Sequence, residues 1–207
     1  MRLYLSSYRV GNYPDRLLAL CAGRRTALVP NALDGLPASV RDAGLQRDLT
    51  DLGQLGLKVT EIDLHDHDAA DRLAGSDVVW VRGGNVYVLR RALADTATDH
   101  VLTDLIRHDA IVYAGYSAGA CVLAPDLTGL ELVDDITAVT DPVTAGLGLL
   151  DRPFVPHVQS PDHPETAACD AVAARYRAAG QAHWALRDGD VLIVNGDSTE
   201  LLHKDFV

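Results

Sequence analysis

Short apolar runs that favour strands alternate with longer stretches of helical spacing along this chain. The alternation predicts strands joined by crossover helices, as in an α/β fold with a largely parallel sheet. The predicted strands of the first half are Leu3–Leu5, Ala27–Val29, Val59–Leu64, Val78–Val81 and Ile111–Tyr113. The helices predicted between them are Pro14–Ala22, Ala38–Leu55, Val86–Ala94 and His100–His108.

The second half is less regular, with Pro, Asp and Gly frequent between Pro125 and Leu150, which predicts a loop-rich region. A further helix is expected over Pro164–Ala179, ended by Gly180. Strands are expected near His183–Leu186 and Val191–Val194. No repeat or linker divides the 207 residues, and a chain of this length can bury one core. We therefore expect a single domain over 1–207.

The charge balance restricts the class of partner. The chain has 18 Lys and Arg against 29 Asp and Glu, a net charge of −11, which repels phosphate backbones and anionic lipid surfaces. Neither nucleic acid nor a membrane is therefore expected as a partner. The first residues lack the apolar core of a signal peptide. The cysteines, Cys21, Cys121 and Cys169, form no CxxC pair, which argues against disulfides and zinc. These features predict a cytoplasmic protein and leave the possibility of a homo-oligomer open.

The segment Gly115-Tyr116-Ser117-Ala118-Gly119 follows a buried-looking strand and precedes a helix-compatible run. Strand, sharp turn and helix form the setting of a nucleophile elbow, in which the turn lifts a serine hydroxyl clear of the sheet. An ordinary glycine-bounded turn is the alternative interpretation. Cys121 is a rival nucleophile, but its apolar helix face is more typical of a core residue. The context favours Ser117 as the nucleophile of a serine hydrolase.

A second glycine loop, Gly83-Gly84-Asn85, follows the predicted strand that ends near Val81. Glycine pairs permit unusual dihedral angles and the close approach of a substrate carbonyl, as an oxyanion hole requires. We expect the N–H groups of Gly84 and Ala118 to be the donors, and Gly83 and Asn85 to contact the substrate. A plain turn is the alternative, and no phosphate-loop pattern is completed here.

A catalytic serine requires a base, usually histidine, with an orienting carboxylate. His157 is the candidate because it ends a short apolar strand, where site residues of open α/β sheets gather. His65 and His67 are interpreted as surface residues beside helix-capping aspartates. The remaining five histidines have no distinctive setting: His100, His108, His163, His183 and His203. Three carboxylates between the serine and the histidine are open as the partner: Glu131, Asp134 and Asp135.

Three motifs in order, Arg82–Asn85, Gly115–Ala120 and Gly146–Leu149 running into Val155–His157, resemble the peptidase E (aspartyl dipeptidase) family of serine peptidases. The resemblance spans nearly the whole chain. It implies a three-layer α/β sandwich, flavodoxin-like or class I glutaminase-like, and no metal or organic cofactor. It also implies Ser117 as nucleophile, His157 as base and Gly84 in the oxyanion hole. The family's aspartate maps to Asp135, with Asp134 as its immediate rival.

The chain departs from the resemblance at one position. Family members that demand an N-terminal aspartate have an arginine after a Glu-Thr pair, whereas Glu165-Thr166 is followed here by Ala167. Losing a bidentate guanidinium–carboxylate pair weakens selection for Asp; Arg175 and Arg82 are the candidates to replace it. The predicted function is hydrolysis of short peptides, most simply dipeptides, through an acyl-enzyme and without a strict Asp requirement. An esterase or amidase, and an inactive ligand-binding member, are the alternatives.

Overall fold

A computed structural model describes residues 1–203 of the chain. A seven-stranded sheet with the order β3-β2-β4-β5-β1-β8-β9 forms its centre. The strands are β1 (Arg2–Ser6), β2 (Arg25–Val29), β3 (Lys58–Glu61), β4 (Val78–Val81), β5 (Val112–Tyr116), β8 (Val191–Asn195) and β9 (Ser198–Leu202). β6 (Phe154–Val155) and β7 (Trp184–Ala185) form a separate parallel pair. The helices are α1 (Pro14–Leu20), α2 (Ala38–Gln54), α3 (Ala69–Ala74), α4 (Val86–Asp95), α5 (Thr98–Arg107), α6 (Ala118–Cys121) and α7 (Thr166–Ala178).

The first five strands pair in parallel, and β8 and β9 extend the sheet in antiparallel fashion. This confirms the predicted mostly parallel α/β sheet. The third strand is shorter than predicted because the chain leaves the sheet after Glu61, although Ile62 N–H still donates to Leu28 O at 2.9 Å. The strand β9 was not predicted. Its sequence, Ser-Thr-Glu-Leu-Leu, is largely exposed and lacks a buried apolar run.

Successive strand residues point to opposite faces of the sheet, which produces two cores. Leu3, Leu5, Val79, Val81 and Tyr113 pack on one face against α3 to α7. Tyr4, Val78, Trp80, Val112 and Ala114 pack on the other against α1 and α2. The helices thus cover both faces, which confirms the three-layer sandwich. Within residues 1–203 no helix has the length and apolar character needed to cross a bilayer.

The turn that joins β5 to α6 lies directly on the backbone of β4. A Cβ atom at Gly119 would lie 2.1 Å from the Val81 carbonyl oxygen, and one at Gly115 would lie 2.8 Å from the same atom. Real Cβ atoms do not approach a carbonyl oxygen so closely. The two glycines therefore set how near the elbow comes to the neighbouring strand.

We expect Gly119→Ala to destabilise the fold by about 1–3 kcal/mol or more, the cost of overpacking a filled core. The matched control is Gly53→Ala, because Gly53 is exposed in α2 and an added Cβ would meet nothing within 4 Å. That control should stabilise the protein by up to about 1 kcal/mol through helix propensity. Urea unfolding of both variants measures the difference; equal stability of the two would contradict the packing argument.

Candidate active site

Ser117 lies in a strained turn at the end of β5. Its backbone adopts φ 49° and ψ −119°, a region that non-glycine residues rarely occupy. The strain is the local feature expected of a nucleophile elbow. Its hydroxyl forms no hydrogen bond with any group of residues 1–203, and the side chain is partly exposed.

A cleft of about 210 Å³ opens in front of the serine. It lies where the carboxyl ends of β1, β4 and β5 meet, the usual ligand position of open α/β sheets. Its walls include Tyr8, Arg47, Arg82, Gly83, Gly84, Tyr116, Ser117, His157, His163 and Glu165. The structure thus brings together the predicted serine, histidine and glycine loop.

Cys121, the rival nucleophile, lies away from this cleft in the core. Its side chain is buried, and its Sγ donates a weak hydrogen bond to Phe154 O at 3.4 Å. Burial raises the pKa of the thiol well above its usual range. A thiol that stays protonated and has no access to solvent is a poor nucleophile.

The glycine loop lies close to the serine because Gly83 and Gly84 have no side chains. A Cβ at Gly83 would lie 2.9 Å from Ser117 Cβ, and one at Gly84 would lie 2.4 Å from Ala32 O. Gly84 has φ 151°, in the range that favours glycine. Within residues 1–203, neither the Gly84 N–H nor the Ala118 N–H donates to another protein group. Both donors are therefore available to a ligand.

Asn85 does not line the cleft with its glycine neighbours, contrary to the prediction from the sequence. Its side-chain oxygen accepts hydrogen bonds from Tyr87 N–H at 2.9 Å and Val88 N–H at 3.1 Å, which caps α4. Its Nδ2 donates to Asp135 O at 2.8 Å. The amide is therefore occupied in holding the loop rather than a substrate.

His157 follows β6 and is nearly inaccessible, with 1% of its surface exposed. Its Nδ1 lies 2.6 Å from Asp188 Oδ1. Ser7 binds both residues, since its Oγ donates to Asp188 Oδ1 at 2.8 Å and accepts from His157 N–H at 2.8 Å. Partial burial opposes ionisation of Asp188, but the hydrogen bonds and charge around it, led by His157, hold its pKa below the usual value. The imidazole is thus fixed by an ionised carboxylate.

The carboxylate on His157 is not one of those predicted from the sequence. Asp135 is exposed and accepts from Thr137 N–H at 2.9 Å, Asp134 accepts from Val86 N–H at 2.8 Å, and Glu131 pairs with Arg175 at 2.8 Å. None of the three forms a hydrogen bond with His157. The prediction assumed a carboxylate between serine and histidine in the chain, and no local motif marks Asp188.

Antiparallel pairing explains how Asp188 reaches the site. Val191, the first residue of β8, pairs with Ser6, the last residue of β1. The loop ahead of an antiparallel strand therefore lies at the same sheet edge as the carboxyl ends of the parallel strands. Predicting Asp188 as the partner of His157 would have required the order of the strands in the sheet, which cannot be read from the local sequence.

Asp134 joins the loop after α6 to the glycine loop. Its carboxylate holds Val86 N–H, one residue beyond the Asn85 amide that binds Asp135 O. Burial raises the pKa of Asp134 to about 7, against the opposing effect of the Val86 hydrogen bond. Two neighbouring hydrogen bonds thus fix the segment that presents Gly84.

Two of the arginines at the site differ sharply in setting. Arg82 is buried, its Nε lies 2.8 Å from Asp48 Oδ2, and its Nη2 donates to the Tyr116 hydroxyl at 3.0 Å. Arg47 is exposed at the cleft and has no hydrogen-bond or ion-pair partner within residues 1–203. Arg175 pairs with Glu131 and is not part of the cleft wall.

His163, which the sequence did not single out, lies against the predicted base. Its ring is stacked on His157 with centroids 3.5 Å apart and an interplanar angle of 4°. Ligating atoms of His157, His163 and Glu165 lie within 4.8 Å of one another. An imidazole binds a metal ion through a nitrogen lone pair that lies in the plane of its ring. In the stack the two ring planes are parallel and 3.5 Å apart, so the lone pairs of His157 and His163 do not point to a common position. Binding a shared ion would require one ring to leave the stack.

Comparison with known proteins places this chain in a family. The model of peptidase family S51 matches residues 11–202. Peptidase E of Streptomyces coelicolor is 32% identical over 192 residues, covering 88% of this chain and 72% of its own. An uncharacterised peptidase of Pasteurella multocida is 33% identical over 109 residues, about half of each chain.

Solved structures show the same fold. A crystal structure of a Listeria monocytogenes protein named after peptidase E superposes with a TM-score of 0.84, covering 99% of this chain and 98% of that one at 19% identity. A peptidase from an acI-B1 actinobacterium gives a TM-score of 0.72 at 14% identity, with 98% of this chain and 87% of that one covered. By the family match over nearly its whole length, the chain belongs to peptidase family S51, the family of peptidase E.

Proposed function

We propose that this protein is a serine peptidase that hydrolyses short peptides, most simply dipeptides, through an acyl-enzyme on Ser117. One observation carries the proposal: a strained serine and a carboxylate-held histidine face the same small cleft. Membership of a peptidase family supports the reaction class. The limited volume of the cleft, about 210 Å³, favours short substrates.

In the proposed mechanism the Ser117 hydroxyl attacks the scissile carbonyl while His157 Nε2 takes its proton. Asp188 holds the Nδ1–H and stabilises the imidazolium. The tetrahedral oxyanion accepts hydrogen bonds from the Gly84 and Ala118 N–H groups. Collapse breaks the C–N bond, and His157 returns the proton to the leaving amine. Water, deprotonated by His157, then releases the acyl group from the serine.

The charges in the cleft support a substrate with both an amino and a carboxyl end. Arg47 offers an unpaired guanidinium, and Glu165 offers a carboxylate on another wall. Ala167 provides no charge for a substrate aspartate. We therefore propose that the enzyme accepts several N-terminal residues instead of requiring Asp.

Ser117→Ala should lower dipeptide hydrolysis on the order of 10⁴- to 10⁶-fold, since the cleft wall formed by the described residues contains no second serine and no cysteine. The measurement compares wild type and variant on X-Leu dipeptides with X as Asp, Met, Leu or Ala, beside an aryl ester. Cys121→Ala is the control and should retain turnover. Full activity of Ser117→Ala would refute the mechanism, turnover of the ester alone would indicate an esterase, and a several-hundredfold preference for Asp would contradict the broad specificity.

Asp188→Asn should lower kcat/KM on the order of 10⁴-fold, because an amide cannot hold the imidazole in the required tautomer or stabilise its charge. Asp135→Asn is the matched control and should leave kcat/KM essentially unchanged, since within residues 1–203 that carboxylate accepts hydrogen bonds from Thr137 alone. Steady-state kinetics on a dipeptide distinguishes the two. The reverse ranking would assign the orienting role to Asp135.

Asp134→Asn should alter how stability depends on pH. The raised pKa of about 7 means that the fold favours the protonated carboxyl. The stability that the protonated carboxyl contributes is fully present below about pH 4 and is lost as pH rises through 7. Asparagine keeps an acceptor for Val86 N–H without ionising. Above pH 7 the variant should melt higher by roughly 2–4 °C.

Thermal melts of wild type and Asp134→Asn from pH 4 to 8 measure this difference. Asp135→Asn serves as a control, because the hydrogen bonds from Thr137 lower the pKa of that exposed carboxyl and its effect has the opposite sign. A gap between Asp134→Asn and wild type that stays constant with pH would show that Asp134 does not titrate in this range.

A further inference from the structure

His163 is held with its ring flat on His157 by contacts on both sides. The rings are 3.5 Å apart and nearly parallel, and the Tyr8 ring meets both edge-on at 5.9 and 5.2 Å. His163 N–H donates to Ser160 O at 2.8 Å, and Glu165 N–H donates to His163 Nδ1 at 3.3 Å. The stack is therefore fixed by backbone contacts as well as by the rings.

The hydrogen bond from Glu165 N–H identifies the charge state of the His163 ring. An imidazole nitrogen that accepts an N–H bond carries no proton, so His163 is neutral in this arrangement. Burial and the neighbouring His157 lower the pKa of His163, in agreement with this. A neutral ring can lie on an imidazolium and stabilise it through its π face, whereas two stacked cations would repel each other.

The surroundings leave this face of His157 to His163. Asp188 and Ser7 hold the ring edge and the backbone of His157, and Tyr8 meets an edge of the stack. The other charged or titratable groups of the cleft are Arg47, Arg82, Glu165 and Tyr116. None of these four forms a hydrogen bond or ion pair with either imidazole through its side chain within residues 1–203. Because His157 is only 1% exposed while His163 is partly exposed, His163 forms a cover over the buried ring.

We propose that His163 is a positioning residue for His157: its neutral ring holds the base in plane against Asp188, keeps water from its face and stabilises the imidazolium formed during acyl transfer. The inference rests on the proposed serine mechanism. It does not depend on which peptide is cleaved, because it concerns proton transfer from Ser117 alone.

Two substitutions separate the ring from its hydrogen bond. His163→Phe keeps a stacking ring but cannot accept from Glu165 N–H, whereas His163→Asn keeps an acceptor without a ring. If the stack positions the base, the Phe variant should stay near the wild-type rate and the Asn variant should be on the order of 10-fold slower or more, part of the 10²–10⁴ that a positioned base contributes. A role confined to the loop hydrogen bond would give the opposite ranking.

The readout is the rate at which a fluorophosphonate labels Ser117, measured from pH 5 to 9, with Ser117→Ala as the blank. In His163→Asn the labelling rate should fall at every pH of this range, because the base is no longer held in plane against Asp188. In His163→Phe the labelling rate should stay near the wild-type rate across the range. The downfield Nδ1–H proton resonance expected of the His157–Asp188 bond should persist in Phe and weaken in Asn.

Three outcomes would overturn the proposal. The Asn variant could label at the wild-type rate with an unchanged Nδ1–H resonance, or the Phe variant could be as slow as Asn with the resonance equally weakened. Either result, with wild type labelled normally, would refute the role of His163 and leave the serine mechanism intact. Failure of wild type to label at all would refute both.

Discussion

The approach of the β5–α6 turn to the backbone of β4 is the constraint on which the candidate site depends. Gly115 and Gly119 leave no side chain between the turn and the Val81 carbonyl, so the serine turn and the loop after β4 lie side by side. Gly83 continues this contact by packing on Ser117. Larger residues here would separate the serine from the N–H of Gly84. The short distance between the ends of β4 and β5 thus determines the geometry of the nucleophile and its oxyanion donors.

Polar groups behind the cleft hold this arrangement. Arg82, the residue before the glycine pair, bonds the hydroxyl of Tyr116, the residue before the serine. Both also bond the buried carboxylate of Asp48 on α2. The network ties one helix to the ends of two strands and compensates most of the burial of its members, although Arg82 Nη1 is buried without a hydrogen-bond partner within residues 1–203. On the opposite side, two hydrogen bonds with the loop beyond α6 fix the same glycine loop. Val86 N–H, at the start of α4, donates to Asp134, and Asn85 Nδ2 donates to Asp135 O.

The histidine side of the site is assembled from segments far apart in the chain. Ser7 follows β1, His157 follows β6, and Asp188 precedes β8, yet hydrogen bonds of 2.6 to 2.8 Å link them. His163 adds a ring from the loop before α7. Apart from His157, which follows a short apolar strand, none of these residues is marked by its own sequence neighbourhood. Ser7 meets Asp188 because β1 pairs with β8, and His157 meets Asp188 because β6 pairs with β7, which ends three residues before Asp188.

The sequence by itself determined the alternating strands and helices, the parallel sheet, the serine turn and the glycine loop, because hydrophobic periodicity and glycine spacing are local properties. It also indicated His157 through its position after a short apolar strand. Only the tertiary structure decided that Asp188, and not Asp135 or Asp134, contacts that histidine, that Asn85 caps a helix, and that His163 stacks on His157. The contact of Asp188 with His157 depends on strand order and on antiparallel pairing at the end of the chain, whereas the Asn85 cap is a local contact with the N–H groups of Tyr87 and Val88. Such long-range pairing leaves no periodic signal in the residues that it brings together.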